Sequence, residues 1–396
     1  MRFLQINSVA GSGSTGRIVS AIGRVAQERG HDILVAYGRG ECKEEHCIRV
    51  GNEIDIWLHG VKSVLGDAHG LGSRRATLKL TEALDRIRPD VIGLHNIHGY
   101  YLNYPVLFDY LSTSGIPVVW TLHDCWPFTG HCSYFDRFDC QKWRSECSQC
   151  PMTGYYPKSI VDKSTRNFRL KKAAFRALKE LVIVTPSHWL KRIVEKSFLG
   201  GFPIQVIHNG VDLDVFSPRT RSKSENVVLG VANTWDDRKG LEDFIKLRRI
   251  LPLSFRIVLV GVSKLQKQFL PAGIEGILRT ESLTELVSWY QKATVFVNPT
   301  YSDNFPTTNI EALACGVPVT TYDTGGSPEA LDELTGRVIS LGNAEGLADS
   351  IISLAHGDRG VTSLRCRARA EKLFNAADRS AEYVDLLESI VGTSGR

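Results

Sequence analysis

Residues Asn298–Leu331 read NPTYSDNFPTTNIEALACGVPVTTYDTGGSPEAL, and this stretch decides the fold. An apolar strand, Thr294–Asn298, runs into a polar loop, Pro299–Phe305, and a short helix is expected from Pro306. A second strand, Val317–Tyr322, and a second glycine turn into a helix come next. Pro306 suits the first helical position, where its missing N–H costs nothing. Gly316 suits the left-handed position just past the helix, and Pro318 forbids continuation. The backbone N–H groups near Asn304–Thr308 are then left pointing into a loop, where they can hold an anion. Asp303 lies on that loop and Glu311 lies eight positions later, on the helix. One carboxylate at the mouth and one a turn inside could grip hydroxyls on either side of a bound phosphate, an arrangement suited to a sugar nucleotide.

The same strand–helix alternation runs along the whole chain, which argues for parallel sheets covered by helices. In the first half, strands are expected at Phe3–Ile6, Ile33–Tyr37, Val91–Leu94, Val118–Leu122, Leu181–Thr185 and Ile204–Ile207. Helices are expected near Gly16–Arg29, Ser73–Ile87, Tyr104–Ser114, Asp162–Lys179 and Ser187–Lys196. A polar segment with Pro218 and several charges, 209–226, reads as a linker. The pattern then restarts with strands Val227–Val231, Arg256–Gly261, Val295–Asn298 and Val317–Thr321. At 396 residues the chain exceeds one core. The expectation is α/β, two doubly wound domains (1–208 and 227–376). The ligand crevice is expected between their strand carboxyl ends.

Composition narrows the function classes. The chain is 43% hydrophobic and 23% charged, ordinary for a globular protein with a sizeable core. No apolar run approaches the roughly 20 residues that span a bilayer. The opening MRFLQINSVAGSG reads as a first strand and glycine loop rather than a signal peptide. A cytoplasmic protein is therefore expected. The net charge of +5 is too mild to argue for nucleic acid.

Several clusters carry candidate chemistry. Gly11, Gly13 and Gly16 form G-x-G-x-x-G between a strand and a helix, a loop suited to a diphosphate. A dinucleotide site would also want an acidic residue about 20 positions on. Positions 33–40 offer none, so a dehydrogenase is the weaker reading; a tight turn without ligand is the plain one. His95, His98 and Tyr100 follow a strand and could line an acceptor pocket, bind a metal, or be simple loop residues. His123 and Asp124 end another strand, with His123 expected to face the cleft and Asp124 to fix its orientation. In the second half, Arg238 and Lys239 precede Gly240 at a helix start, where a cation can neutralise a leaving diphosphate.

Nine cysteines in a chain read as cytoplasmic are expected to be mostly reduced. Cys42, Cys47, Cys315 and Cys366 read as ordinary core or surface residues. Cys132, Cys140, Cys147 and Cys150 make a tetrahedral thiolate set, the last two as C-x2-C. Such a set suits structural zinc first and iron–sulfur second. Buried thiols or reversible disulfides are the alternative. The helix over 162–179 carries Lys163, Arg166, Arg169, Lys171, Lys172, Arg176 and Lys179. With Lys191, Arg192 and Lys196 these could dock on anionic lipid, or simply form a solvated face.

Taken together, Gly11–Gly16, His123-Asp124, IHNGVD (207–212), RKG (238–240), Asp303…Glu311, ACGVPV and TGGSPE resemble retaining glycosyltransferases of family 4. The segment LHDCWPFTGHC…CSQCP with DNFP looks most like bacterial exopolysaccharide enzymes of the colanic-acid type. The resemblance implies the GT-B fold and transfer of a hexose from a UDP- or GDP-sugar to a saccharide acceptor, lipid-linked, on the inner face of the membrane. It implies that Lys239 and the glycine loop hold the diphosphate and that His123 sits beside the transferred sugar. Glu311 would bind the ribose, and Asp303, Asn304 and Phe305 the sugar and phosphate. Pro306, Thr307, Gly325, Gly326 and Glu329 would border the donor pocket. It implies too that a final helix in 377–396 crosses back to the first domain, and it implies no catalytic metal. An arginine usual before the lysine is replaced by Asn233 and Thr234, and the usual first glutamate by Asp303. A related epimerase or phosphorylase, or a non-catalytic sugar-nucleotide-binding protein, are the other readings.

Overall fold

The computed structural model describes residues 1–42, 46–219 and 225–394. Part of the expected linker, residues 220–224, lies outside the described residues. The chain divides into two compact units, Met1–Ile207 with the chain from Arg379, and His208–Asp378.

Unit 1 contains strands β1 (Arg2–Ala10), β2 (Asp32–Gly40), β3 (Cys47–Arg49), β4 (Val91–Leu94), β5 (Val118–Thr121), β6 (Leu181–Thr185) and β7 (Ile204–Val206). Its helices are α1 (Gly13–Glu28), α2 (Glu53–Gly66), α3 (Arg74–Ile87), α4 (Tyr104–Ser114), α5 (Ser164–Arg176) and α6 (His188–Glu195). The strands form one parallel sheet in the order β3-β2-β1-β4-β5-β6-β7. Central strands β4 and β5 are buried at every position, as continuous apolar runs covered on both faces must be.

Unit 2 has strands β8 (Asn226–Val231), β9 (Phe255–Val260), β10 (Ile274–Ile277), β11 (Val295–Asn298), β12 (Val319–Tyr322) and β13 (Gly336–Ile339). Its helices are α7 (Leu241–Ile250), α8 (Lys264–Phe269), α9 (Leu283–Lys292), α10 (Thr307–Ala314), α11 (Ala344–His356) and α12 (Arg359–Phe374). The sheet is again parallel, in the order β10-β9-β8-β11-β12-β13. Residues 211–216 pack on this unit: Val211 N–H donates to Phe374 O at 2.7 Å, and Phe216 is buried in its core.

The last helix, α13 (Ala376–Ser394), places Tyr383, Val384 and Leu387 in a cluster with Phe3, Val19, Ile22 and Val119 of unit 1. Arg29 pairs with Asp385, and His31 lies 2.7 Å from Glu388.

Four expectations need correction. Pro306 is the N-cap of α10, one position before the first helical residue, with φ −68° and ψ 117°. The glycine turn after β12 leads into a single 3-10 turn, Ser327–Ala330, rather than an α-helix. Cys42 and Cys47 are joined in a disulfide, with Cα atoms 6.3 Å apart, rather than being free thiols. Lys171 is buried, not part of a solvated basic face: its Nζ donates to Trp126 O and Thr129 O and lies 3.4 Å from the Trp126 ring centroid.

Candidate active site

Each sheet reverses its strand order once, between β1 and β4 in unit 1 and between β8 and β11 in unit 2. The loops leaving such a pair of strands part to opposite faces of the sheet and open a crevice at their carboxyl ends. In unit 2 those loops carry Arg238 and Lys239 after β8, and Asp303 after β11. The two loops are laced together. Tyr301 N–H donates to Arg238 O at 2.8 Å, and the Arg238 guanidinium donates to Ser302 O at 2.9 Å. Gly240 is left-handed (φ 72°), and a Cβ there would stand 2.1 Å from Pro299 O.

At the centre Lys239 Nζ lies 2.5 Å from Asp303 Oδ2, and Arg238 stands 3.9 Å from the same oxygen. Burial alone would raise the Asp303 carboxyl, but the Lys239 ammonium and the Arg238 guanidinium hold it below its ordinary value. Gly325 and Gly326 wall this loop from the next strand. Gly326 N–H donates to Asp303 O at 3.2 Å, and a Cβ on Gly325 (φ 58°) would lie 1.8 Å from that oxygen. Only glycine fits.

Helix α10 starts behind the pair. Asn304, Phe305 and Pro306 are buried, and Thr307 opens the helix. Glu311 is 3% exposed and accepts a 2.9 Å hydrogen bond from Tyr290 OH. Glu329 lies on the 3-10 turn. Asn309 fastens α10 to that turn: its Nδ2 donates to Ser327 Oγ, and its Oδ1 accepts from Asn298 Nδ2. Residues the sequence reading left without a role complete the loop's support. His208 stacks on Phe305 at 4.9 Å, and Asn209 Nδ2 donates to Phe305 O at 3.2 Å.

In unit 1 the switch-point loops carry the glycines and the histidines. Helix α1 begins at Gly13, earlier than expected, so Gly11 and Ser12 make the turn, and a Cβ on buried Gly16 would stand 3.4 Å from Gly11 N. His123 lies two residues beyond β5 and is oriented by His95, not by Asp124. With Gln5 Oε1 2.8 Å from its Nε2, His95 carries its proton there, so its Nδ1 accepts from His123 Nε2–H at 3.1 Å. That leaves His123 Nδ1 as an acceptor. Burial pushes the His123 imidazole down to about 4, against the raising pull of Asp124, and takes His95 well below its usual range. Asp124 instead lies 2.9 Å from His98 Nε2 and accepts the Trp126 N–H at 2.9 Å. His95 and His98 are both buried. Tyr100, left-handed at φ 71°, packs its ring 4.8 Å from His69.

The Cys-rich insertion follows Asp124. Cys132, Cys140, Cys147 and Cys150 line one cavity, as does His131. The Gly130 N–H donates to Cys147 Sγ at 3.2 Å. His131 Nδ1 is 2.6 Å from Asp67 Oδ1, both buried.

With this geometry in hand, relationships to known proteins can be stated. Residues 15–215 match the family model described as Glycosyltransferase Family 4, and residues 225–356 the one described as Glycosyl transferases group 1. WcaC of Escherichia coli (strain K12), named for glycosyl transfer in colanic acid biosynthesis, is 24% identical over 321 residues, 76% of this chain and 77% of that protein. D-inositol 3-phosphate glycosyltransferase of Mycobacterium tuberculosis (strain CDC 1551 / Oshkosh) is 29% identical over 197 residues, 43% of this chain and 41% of that protein. Among solved structures, sucrose-phosphate synthase from Thermosynechococcus elongatus superposes with a TM-score of 0.72 at 17% identity, covering 99% of each chain. HepE of Anabaena in complex with UDP-glucose gives 0.68 at 15%, covering 98% of this chain and 100% of that one. These superpositions establish the GT-B fold, two Rossmann-like parallel-sheet domains. The chain belongs to glycosyltransferase family 4 and is a glycosyltransferase.

Proposed function

We propose that the protein transfers a hexose from a nucleoside-diphosphate sugar to a saccharide acceptor, with retention of anomeric configuration, in assembly of exopolysaccharide or another cell-surface polysaccharide. The observation that carries this reading is the Lys239–Asp303 pair at the switch point of unit 2, with Arg238 at 3.9 Å. Without donor, Asp303 holds the Lys239 ammonium in place. With donor, the diphosphate takes that ammonium, and the freed carboxylate accepts sugar hydroxyls. Charge developing on the leaving diphosphate meets a fixed cation and backbone N–H groups at the start of α10, the preorganised stabilisation that lowers such barriers. On the family resemblance, Glu311 would take ribose hydroxyls and His123 would sit beside the transferred sugar. The leaving phosphate assists removal of the acceptor proton on the same face. No metal is needed for this step. WcaC's printed name supports the polysaccharide setting, and the UDP-glucose complex of HepE supports a nucleoside-diphosphate sugar, of uridine first, as donor.

The acceptor is proposed to be lipid-linked, with the protein peripheral on the inner face of an anionic membrane. Helix α2 supports a lipid surface better than α5 does. Its Ile54, Trp57, Leu58 and Leu65 are exposed, Trp57 to 66%, with Lys62 exposed on the same helix and Lys158 beside the exposed Ile160. An apolar stripe flanked by lysines is the pattern of an interfacial helix. No described helix is long and apolar enough to cross a membrane.

Two measurements test these proposals. A panel of nucleotide sugars is screened for a rise in melting temperature, since a ligand bound only by the folded state stabilises it. The product from the best donor is then examined for anomeric configuration. Inversion would overturn the mechanism, and no stabilisation by any nucleotide sugar would overturn the donor assignment. Co-sedimentation with phosphatidylglycerol vesicles should fall at least fivefold in a Trp57→Glu, Leu58→Glu variant. Equal binding would remove α2 from the membrane contact.

A further inference from the structure

We propose that the Cys-rich insertion of unit 1 is a zinc site, in which Cys132, Cys147 and Cys150 supply three thiolates and the fourth ligand is Cys140 or His131. The sequence suggests only the four cysteines, at a spacing that matches no standard ribbon. The structure brings all four to the wall of one cavity and adds His131, which spacing did not single out.

His131 is the most telling of these residues. It is 2% exposed, and its Nε2 is buried without a hydrogen-bond partner. A buried imidazole nitrogen left unmatched carries an uncompensated desolvation cost. Its other nitrogen, Nδ1, is 2.6 Å from Asp67 Oδ1, and this carboxylate is equally enclosed. A carboxylate holding one ring nitrogen while the other faces a metal is the recurrent second shell of histidine ligands. Asp67 is well secured for that task, because its Oδ2 accepts the Lys163 N–H at 2.8 Å.

The surroundings suit an anionic metal–thiolate centre. The Gly130 N–H already donates to Cys147 Sγ at 3.2 Å. The buried Lys171 amine, tied to the carbonyls of Trp126 and Thr129, is near enough to Cys132 and Cys147 to interact with their thiolates. Among the described residues no three of these sulfurs lie within 4.8 Å of one another. A tetrahedral zinc with Zn–S of about 2.3 Å needs sulfurs about 3.8 Å apart, so the side chains turn inward on binding. Three thiolates with one further sulfur or nitrogen donor select zinc among the common divalent ions. The site is structural. It ties the insertion to Asp67 on one side and, through Cys132, to the segment just after Asp124 on the other.

The test is the metal content of the full chain, purified without chelator or affinity metal. About one zinc per chain is expected, lost on treatment with a strong chelator together with a fall in melting temperature. Cobalt(II) replacing it should show the intense near-ultraviolet absorption of thiolate ligands. Cys140→Ser and His131→Asn variants are analysed in parallel, and the one that loses metal identifies the fourth ligand. Less than about a tenth of an equivalent of zinc in the wild type overturns the proposal. So does iron in place of zinc, a Cys132–Cys150 disulfide in the freshly purified protein, or full zinc retention by both variants.

Discussion

At the scale of single residues, the donor loop rests on a contact that tolerates no side chain. Gly325 faces Asp303 O so closely that any Cβ must displace the loop, and its φ of 58° is strained for other residues. Gly325→Ala should therefore lower turnover by more than tenfold and cost about 1–3 kcal/mol of stability. Turnover kinetics and chemical denaturation measure both, and an unchanged variant would mean that the loop is not held here. The histidine pair makes a different prediction. His123 is oriented by His95, so His95→Phe should lower kcat while leaving donor affinity within about twofold. A loss confined to affinity would contradict the positioning role. Some of this was legible in the sequence: Asp303, Glu311, Lys239 and the glycines stand on named motifs. The His123–His95–Gln5 chain was not, because it joins the middle of β1 to the ends of β4 and β5, a proximity that follows from strand order, which local sequence does not state.

Elements show the same division. Strands β4, β8 and β11 of the two switch points were legible because buried parallel strands are largely apolar runs, whereas β1, with Gln5 and Asn7 buried in it, was legible only over Phe3–Ile6. Strand β3 is three residues long, and β13 is an edge strand with Arg337 and Val338 exposed, so neither has such a run. Helix α2 was missed for a more specific reason. It buries His59 and Ser63 while exposing Ile54, Trp57 and Leu58, the reverse of the usual apolar-in pattern. That inversion is itself the argument for a surface partner. Helix α13 was expected from the family resemblance rather than from its own sequence pattern, and its contribution can be measured. Leu387 is 1% exposed among Phe3, Val19 and Val384. Leu387→Ala should cost about 2–5 kcal/mol by urea denaturation; a loss under about 1 kcal/mol would show that the helix is not docked on unit 1 in solution.

For the whole molecule, the buried histidines set an acid limit. Burial pushes His59 and His123 down to about 4, and takes His69 and His95 well below their ordinary value. Their unfolded value is near 6.5, so below that pH the unfolded chain binds protons that the folded chain refuses. Stability is thus fully present above about pH 6.5 and is lost as the pH falls toward 4, each histidine adding up to about 1.4 kcal/mol per pH unit. The melting temperature should fall clearly between pH 7 and pH 5, before most carboxylates titrate; a flat profile would mean that these rings are hydrated in solution. The two-domain plan, the parallel sheets and the family were legible because they rest on periodicity and on motifs spread over the whole chain. The disulfide and the burial of Lys171 were not, because each depends on a tertiary neighbour.

The central claim is that unit 2 holds a sugar nucleotide through Lys239 and Glu311. Its most direct test is the steady-state turnover of Lys239→Ala and Glu311→Ala with the best donor, beside their melting temperatures. Lys239→Ala leaves Asp303 with Arg238 nearby, so the fold is retained. Both variants should lose at least tenfold in turnover, about 1.4 kcal/mol of barrier; Lys239→Ala should melt near the wild type, and Glu311→Ala somewhat lower but still cooperatively, because the buried Tyr290 OH loses its acceptor. Undiminished turnover in both would contradict the account.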